Sequence, residues 1–310
     1  MIIYSGYNKL ADFEKEWSRF MNFSAITVSY PIDHETFEEI NQLCENAEQV
    51  DLKSYRSVIN LAMAKSSDAR GFFVLVYDDE QNQLAGVASA VDLMGLNTYE
   101  WSIIVDPMYR DIGIGSTLYS VLKEGLSMRG SDGDLALAVD GGHFGELFLK
   151  SNGYEYSFSE ATLEAKAVAA NEPFLFTMRL FEQKDTKALC EIFSQGFGDT
   201  TEESLQLIEF NSTTEGIYLW VAEQDGDVVG TVSTRQDGDG HWVTALAVHP
   251  SFEGQGIGSE ILRWVKDYVA RSGGRVVLLD VEVDNARALA IYEKNGFMIS
   301  SQIHYYVFTS

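Results

Sequence analysis

Two hydrophobic periods take turns along this chain. Ala25 to Tyr30, Phe72 to Tyr77, Leu84 to Val91, Tyr99 to Val105 and Leu135 to Val139 are apolar runs of strand length. Between them apolar residues recur at helical spacing: Phe37, Ile40, Leu43 and Cys44, then Val58, Ile59 and Met63, then Leu118, Val121, Leu122 and Leu126. The pattern predicts helices near residues 37–44, 53–64, 116–128 and 146–151, the last ending at Asn152-Gly153, where glycine suits a left-handed C′ position. Asp78 to Gln83 is the acidic tip of an antiparallel hairpin. A further helix is expected over residues 4–22, with Leu10, Phe13, Trp17, Phe20 and Met21 on one face. Residues 154–165 are expected to hold the last strands of the first half, and the alanine-rich stretch 166–173 a linker.

The second half runs through the same order. Strands are expected at 174–181, 217–223, 228–234, 241–248, 276–281 and 299–308, and helices at 184–195, 202–210, 259–270 and 286–295. From the central strand onward one offset of 143 residues relates the halves: Val105-Asp106-Pro107 to Val248-His249-Pro250, Gly113-Ile114-Gly115 to Gly256-Ile257-Gly258, and Gly153-Tyr154 to Gly296-Phe297. Upstream the register slips by a residue or two, Gly86 matching Gly230 and Val76 matching Val221. A repeat of this length means two copies of one domain, here 1–165 and 174–310. Strands mixed with helices in the order β-α-α-β-β-β-α-β-α-β make each copy an α/β sheet domain.

Composition narrows the picture little. The 310 residues are 45% apolar and 12% aromatic, enough for a core in each half. Net charge is −25, shared by both halves, which repels nucleic acid and anionic membrane; it reads first as a solubility trait of the source proteome and otherwise as favouring a cationic or amine acceptor. No run reaches 18 consecutive apolar residues, so no membrane span is expected, and a cytoplasmic location is. Cys44 and Cys190 sit in helical patterns and read as core thiols. No zinc-ligand spacing connects His34, His143, His249 and His304.

The candidate chemistry lies where strand turns into helix through glycines. A helix opening directly from such a loop presents unpaired backbone N–H groups and the positive end of its dipole, a setting for phosphate. The loops are Arg110-Asp-Ile-Gly113-Ile-Gly115 and Glu253-Gly-Gln-Gly256-Ile-Gly258. Ser116-Thr117 and Ser259-Glu260 follow, where a Walker loop needs Lys-Ser/Thr. Leu118 and Ile261 stand where a dinucleotide fingerprint needs a small residue. Both nucleotide readings fail.

Together with Asn285-x-x-Ala288-x-x-x-Tyr292-x-x-x-Gly296-Phe297, these loops resemble the Gcn5-related N-acetyltransferase (GNAT) family over nearly the whole chain, as two tandem copies in the manner of the mycothiol synthase type. The resemblance implies two tandem GNAT-type domains, each a mixed, mostly antiparallel central sheet flanked by helices. It implies acetyl-CoA as co-substrate and a small-molecule or peptide amine as acceptor, attacked directly. Backbone groups of Leu246, Ala247 and Val248 would bind the pantetheine arm. Gly254, Gln255, Gly256, Ile257, Gly258 and Ser259 would hold the pyrophosphate, and Asn285 would contact the pantetheine or orient its helix. Tyr292 would protonate the departing thiolate, or alternatively pack beside the glycine turn. Ile104, Val105, Arg110, Gly113, Gly115 and Ser116 are the corresponding positions of the first copy.

The copies depart from the pattern in opposite ways. The first keeps Arg110 but has Gly142, Gly145 and Leu149 for Asn285, Ala288 and Tyr292. The second keeps that triad but has Glu253 where the family has Arg or Gln. Chemistry is therefore expected in the second copy. The candidate base is His241, assisted by Asp239, or equally a histidine exposed at a strand end; Glu100 would serve in the first copy. The acceptor is expected to enter between the central strands, shaped by residues 199–216. A monomer with an internal pseudo-dimer, or a homodimer, fits this plan. Two rivals stay open: a CoA-binding regulator without catalysis, and a pseudo-dimeric interaction scaffold.

Overall fold

The computed structural model describes residues 22–66, 69–93, 95–238 and 240–309. The helix expected over 4–22, up to Met21, and the proposed helper Asp239 lie outside the described residues. The chain forms two compact units, Met1–Phe158 with Ile303–Ser310, and Ser159–Gln302. These bounds differ from 1–165 and 174–310, and the reason is in the closing strands. The strand after each repeat's last helix is continuous, Tyr154–Lys166 in one repeat and Met298–Phe308 in the other. Each begins in one unit and ends in the other, so the first unit is built from two stretches of sequence and the second from the single stretch between them.

The first unit contains β1 (Phe23–Ser29), α1 (His34–Asp51), α2 (Arg56–Ile59), β2 (Arg70–Asp78), β3 (Gln83–Asp92), β4 (Thr98–Val105), α3 (Ile114–Met128), β5 (Gly133–Val139), α4 (His143–Ser151) and the start of β6 (Tyr154–Lys166). Strands β1 to β4 pair antiparallel in sequence, and β4 and β5 pair in parallel. Residues Ile303–Val307 then lie antiparallel on β5. In the second unit β7 (Thr177–Leu180), α5 (Thr186–Gly196), α6 (Thr201–Thr213), β8 (Ile217–Gln224), β9 (Asp227–Asp237), β10 (Gly240–Val248), α7 (Ile257–Arg271), β11 (Val276–Glu282), α8 (Ala286–Lys294) and β12 (Met298–Phe308) repeat the plan. Here β7 to β10 are antiparallel, β10 and β11 parallel, and Glu160–Lys166 of β6 completes the sheet on β11.

Each unit buries both faces of its sheet. Helix α7 places Ile257, Ile261, Leu262, Val265 and Val269 on one side, and all five are buried against Val229, Val232, Val243 and Val277. Side chains of this size contribute about 1.5–3 kcal/mol each when fully buried. α3 does the same with Ile114, Leu118, Leu122 and Leu126. The matched glycines Gly86 and Gly230 let these helices approach. A Cβ on Gly86 would stand 2.8 Å from Leu118 Cδ1, and one on Gly230 2.8 Å from Ile261 Cδ1. On the other faces, α1 packs Ile40, Leu43 and Cys44 on β2 to β4, and α5 packs Leu189, Ile192 and Phe193 against Leu219, Val221 and Ala247.

The strand expected at 174–181 shrinks to Thr177–Leu180. The stretch before it is held by polar contacts along α7. Ala170 N–H donates to Asp267 Oδ1 (2.7 Å), and Arg263 donates to the carbonyls of Glu172 (3.1 Å) and Pro173 (2.8 Å). No helix among the described residues is long and apolar enough to cross a membrane.

Candidate active site

The second unit's central strand is irregular at the position that matters. Thr244 pairs with Ser233 and Ala247 with Thr231, so Ala245 and Leu246 together oppose Val232. This is a β-bulge, and Ala245 takes φ 49° to make it. A non-glycine residue in that region costs about 1 kcal/mol, so the packing around it must hold the shape. On its other side β10 stays with β11 only from Gly240 to Trp242. Past that point the strands part, and the backbone of residues 243–248 faces an opening instead of a neighbour. The bulge re-aims this freed edge.

The opening leads to the glycine loop. Gly254 (φ 72°) and Gly256 (φ 85°) take left-handed turns, and Gly256 is the N-cap of α7 without any side-chain cap. A Cβ on either glycine would meet nothing within 4 Å, so the backbone is bare to a ligand. The first-turn N–H groups of α7 point out from here. Ser259 Oγ accepts from Asn295 Nδ2 (2.9 Å), which ties the helix start to the end of α8. Gln255 bends back to donate to the carbonyl of Ser251 (3.2 Å).

Glu253 is not alone at this loop. Arg287 Nη2 on α8 donates to Glu253 Oε2 at 2.8 Å, both side chains largely exposed. The cation missing at position 253 therefore stands beside it on another helix. Asn285 caps α8, its Oδ1 accepting from Ala288 N–H (3.1 Å). Tyr292 is half-buried on α8, 5.9 Å from the Phe297 ring, and burial raises its phenol above the ordinary value of 10.0. Such a phenol keeps its proton at neutral pH.

The remaining expected residues divide between the two faces of β10. Leu246 and Val248 pack on the α7 side and Ala247 on the α5 side. His241 also faces α7. It is buried under Gly274, 6.2 Å from the Tyr268 ring, and its Nδ1 has no hydrogen-bond partner among the described residues. Burial lowers its pKa, so the imidazole is neutral and enclosed. Thr244 faces the α5 side and is exposed. On β11, Val277, Leu279 and Val281 point into the α7-side core, so Asp280 stands on the same side as Thr244. Asp280 accepts from Thr162 Oγ1 at 2.7 Å. Neither Asp280 nor Arg287 carries a motif signal, and only the strand register and helix geometry reveal them.

The first unit shares the loop and lacks the rest. Asp111 (φ 63°) and Gly113 (φ 97°) repeat the turns of Gly254 and Gly256, Gly113 caps α3 without a side chain, and Ser116 is exposed. β4, however, pairs with β3 in unbroken register from Val105 to Glu100. Ile104 is buried in the α1-side core and Val105 packs on the α3 side. Arg110 is clasped by Asp51 at the end of α1, through bonds of 2.8 and 2.6 Å, and its Nε donates to the carbonyl of Val105 (3.2 Å). The guanidinium in turn holds the Asp51 carboxyl below its usual pKa. Leu149 is buried in the core.

The mouth beside β4 is closed as well. Ser102 Oγ donates to Val58 O (2.7 Å) and Ser89 Oγ to Ile59 O (2.8 Å), which fixes α2 over the parting of β4 and β5. Val58 then packs on Leu137 and Val139. Behind β4, Trp101 Nε1 donates to Asp134 (2.8 Å), which Lys123 (2.7 Å) and the Tyr154 hydroxyl also bind.

Comparison with known proteins agrees with this geometry. The acetyltransferase (GNAT) family model matches twice, at residues 34–139 and 186–297. An uncharacterized N-acetyltransferase of Methanocaldococcus jannaschii is 33% identical over 122 residues, 39% of this chain and 76% of that protein. A spore coat polysaccharide biosynthesis protein of Bacillus subtilis is 24% identical over 147 residues, 43% of this chain and 51% of its own length, so the match spans about half of that relative. A tandem GNAT protein from the clavulanic acid biosynthesis pathway shares the fold, with TM-score 0.65 and 15% identity over 92% of this chain and 98% of that one. The chain belongs to the GNAT acetyltransferase family, with two GNAT-type domains in tandem.

Proposed function

We propose that the second repeat is an acetyl-CoA-dependent N-acetyltransferase that passes acetyl to an amine by direct attack. The observation that carries this reading is the bulge at Ala245–Leu246 on the parted edge of β10, opening onto the uncapped start of α7. Acetyl-CoA supplies an activated thioester and a pyrophosphate. The free backbone of Leu246 to Val248 pairs with the pantetheine arm as an added strand, and the N–H groups from Gly254 to Ser259 bind the pyrophosphate. Asn285 acts by capping and orienting α8. Arg287 offsets Glu253 and offers the phosphates a side-chain cation. Tyr292, which burial keeps protonated at neutral pH, gives its proton to the departing thiolate.

His241 is left out of the proton path, because its ring is enclosed on the α7 side. The first repeat, with a regular β4, a tethered Arg110 and a filled mouth, is assigned a structural role. Free-thiol release from acetyl-CoA with a panel of amines tests the reading. Wild type turns over and Tyr292→Phe is slower by about 100-fold; equal rates in the two proteins would remove Tyr292 from the mechanism.

A further inference from the structure

The register of β10 on β11 fixes which side chains border the parting of the two strands. Gly240 pairs with Val276 and Trp242 with Leu278, and the strands then part. Two residues on, Thr244 and Asp280 are the first side chains beyond the parting on the α5 side, one on each lip, and both are exposed. Thr244 immediately precedes the bulge, so this pair borders the backbone assigned above to the pantetheine arm.

The first unit shows what the position can otherwise hold. Judged by pairing, Thr244 opposite Ser233 corresponds to Ser102 opposite Ser89, and Asp280 corresponds to Leu137. There, both serine hydroxyls hold the plug at Val58 and Ile59, and Leu137 packs on Val58. In the second unit, Ser233 Oγ is fully buried on the same face and has no partner among the described residues, so no equivalent plug engages it. A leucine that seals the mouth has become a carboxylate that opens it.

The carboxylate is also set for use. Thr162 binds one oxygen of Asp280, at 2.7 Å from Oδ1, fixing the side chain. The protein packed around the carboxyl raises its pKa above the ordinary carboxylate value, with the Thr162 hydroxyl acting the other way. Glu282 on β11, and Glu160 and Glu164 on the paired strand β6, share this face, while its cations Lys166, opposite Val276, and Arg235 of β9, opposite Trp242, lie before the parting. The local field therefore selects against an anionic acceptor.

We propose that Asp280 binds the acceptor's amino group at the mouth of the second repeat, and that the acceptor is a primary amine with a cationic, not anionic, remainder. This inference rests on the acetyltransferase reading of the same site. The ammonium docks on Asp280 and gives up a proton there. The nitrogen lone pair forms a bond to the acetyl carbonyl carbon, the C–S bond breaks, and the thiolate takes the Tyr292 proton. The second proton on nitrogen and the one held by Asp280 leave to solvent, and solvent returns one to the tyrosine, so one proton is released per amide formed.

The test compares 1,4-diaminobutane with 4-aminobutanoate as acceptors, in wild type, Asp280→Asn and Asp280→Leu, with acetyl-CoA affinity measured by calorimetry on each protein. The diamine is expected to show at least about 10-fold higher kcat/KM than the amino acid. Both variants are expected to lose about 50-fold or more on the diamine, with acetyl-CoA affinity within twofold of wild type. An Asp280→Asn rate within twofold of wild type overturns the inference. So does a preference for 4-aminobutanoate, or acetyl-CoA binding with neither amine acetylated. Absence of acetyl-CoA binding to wild type fails the underlying reading instead, and the two failures are told apart by that measurement.

Discussion

In the first unit β4 runs in unbroken register beside β3, and Val58 fills the mouth where β4 leaves β5. In the second, β10 bulges at Ala245–Leu246 and the same mouth presents Thr244 and Asp280. The loops that follow are alike in backbone, down to the left-handed residues at 111 and 113 and at 254 and 256. A glycine loop opening into a helix is therefore not what separates the copies. What separates them is whether the strand before the loop offers a freed, re-aimed edge, and whether the other face of the parting is open. The ion pairs follow the same division. Arg110 is drawn away from its loop to Asp51, whereas Arg287 is held at the other loop by Glu253.

The comparison can be broken in several places, beginning with the chemistry. Tyr292→Phe should lower kcat about 100-fold, the size expected for losing a general acid, with acetyl-CoA affinity unchanged. Leu149→Tyr in a Tyr292→Phe background should restore nothing, because position 149 is core. Since the Tyr292 phenol is raised above 10.0, it loses its proton later than a free tyrosine would. kcat at saturating amine should thus show no alkaline fall from this group below pH 10, and a fall setting in near pH 8 would contradict its assignment.

Next comes the plug. Val58→Ala should cost about 2 kcal/mol in urea unfolding, the usual penalty for a small cavity at a buried aliphatic side chain. It should leave the acetylation rate of the folded protein unchanged; a rise in activity would mean the first copy is a closed enzyme instead of a structural one. At the cofactor grip, Arg287→Ala should weaken acetyl-CoA binding about 10-fold, measured by calorimetry, and Glu253→Gln should strengthen it slightly. The smallest effect is expected at the bulge itself. Ala245→Gly relieves a φ of 49° and should change stability by less than about 1 kcal/mol, whereas Ala245→Val should destabilise by more than that.

Much of this was legible in the sequence, and the parts that were not share a cause. The glycines at 86 and 230, 113 and 256, and 153 and 296 carried the repeat, because each answers a local requirement of backbone shape or close approach. The nearly constant offset, however, concealed the bulge. The second copy has an extra residue in its central strand and a shorter loop before it, Gly238 to Asp239 against Leu93 to Asn97, so the two differences nearly cancel. Read by offset, Thr244 matched Trp101, and only the pairing partners show that it stands where Ser102 does. His241 looked like a base at a strand end, but which face a strand residue occupies depends on a register that one bulge reverses. The closing strands matched correctly as repeats, yet their membership in compact units follows from pairing with β5 and β11, which lie far away in sequence.

The central claim is that one copy alone grips acetyl-CoA, and calorimetric titration of the full chain tests it most directly. One acetyl-CoA per chain is expected, lost in Gly256→Asp and retained in Gly113→Asp. Two sites per chain, or a single site that survives Gly256→Asp and disappears in Gly113→Asp, would contradict it.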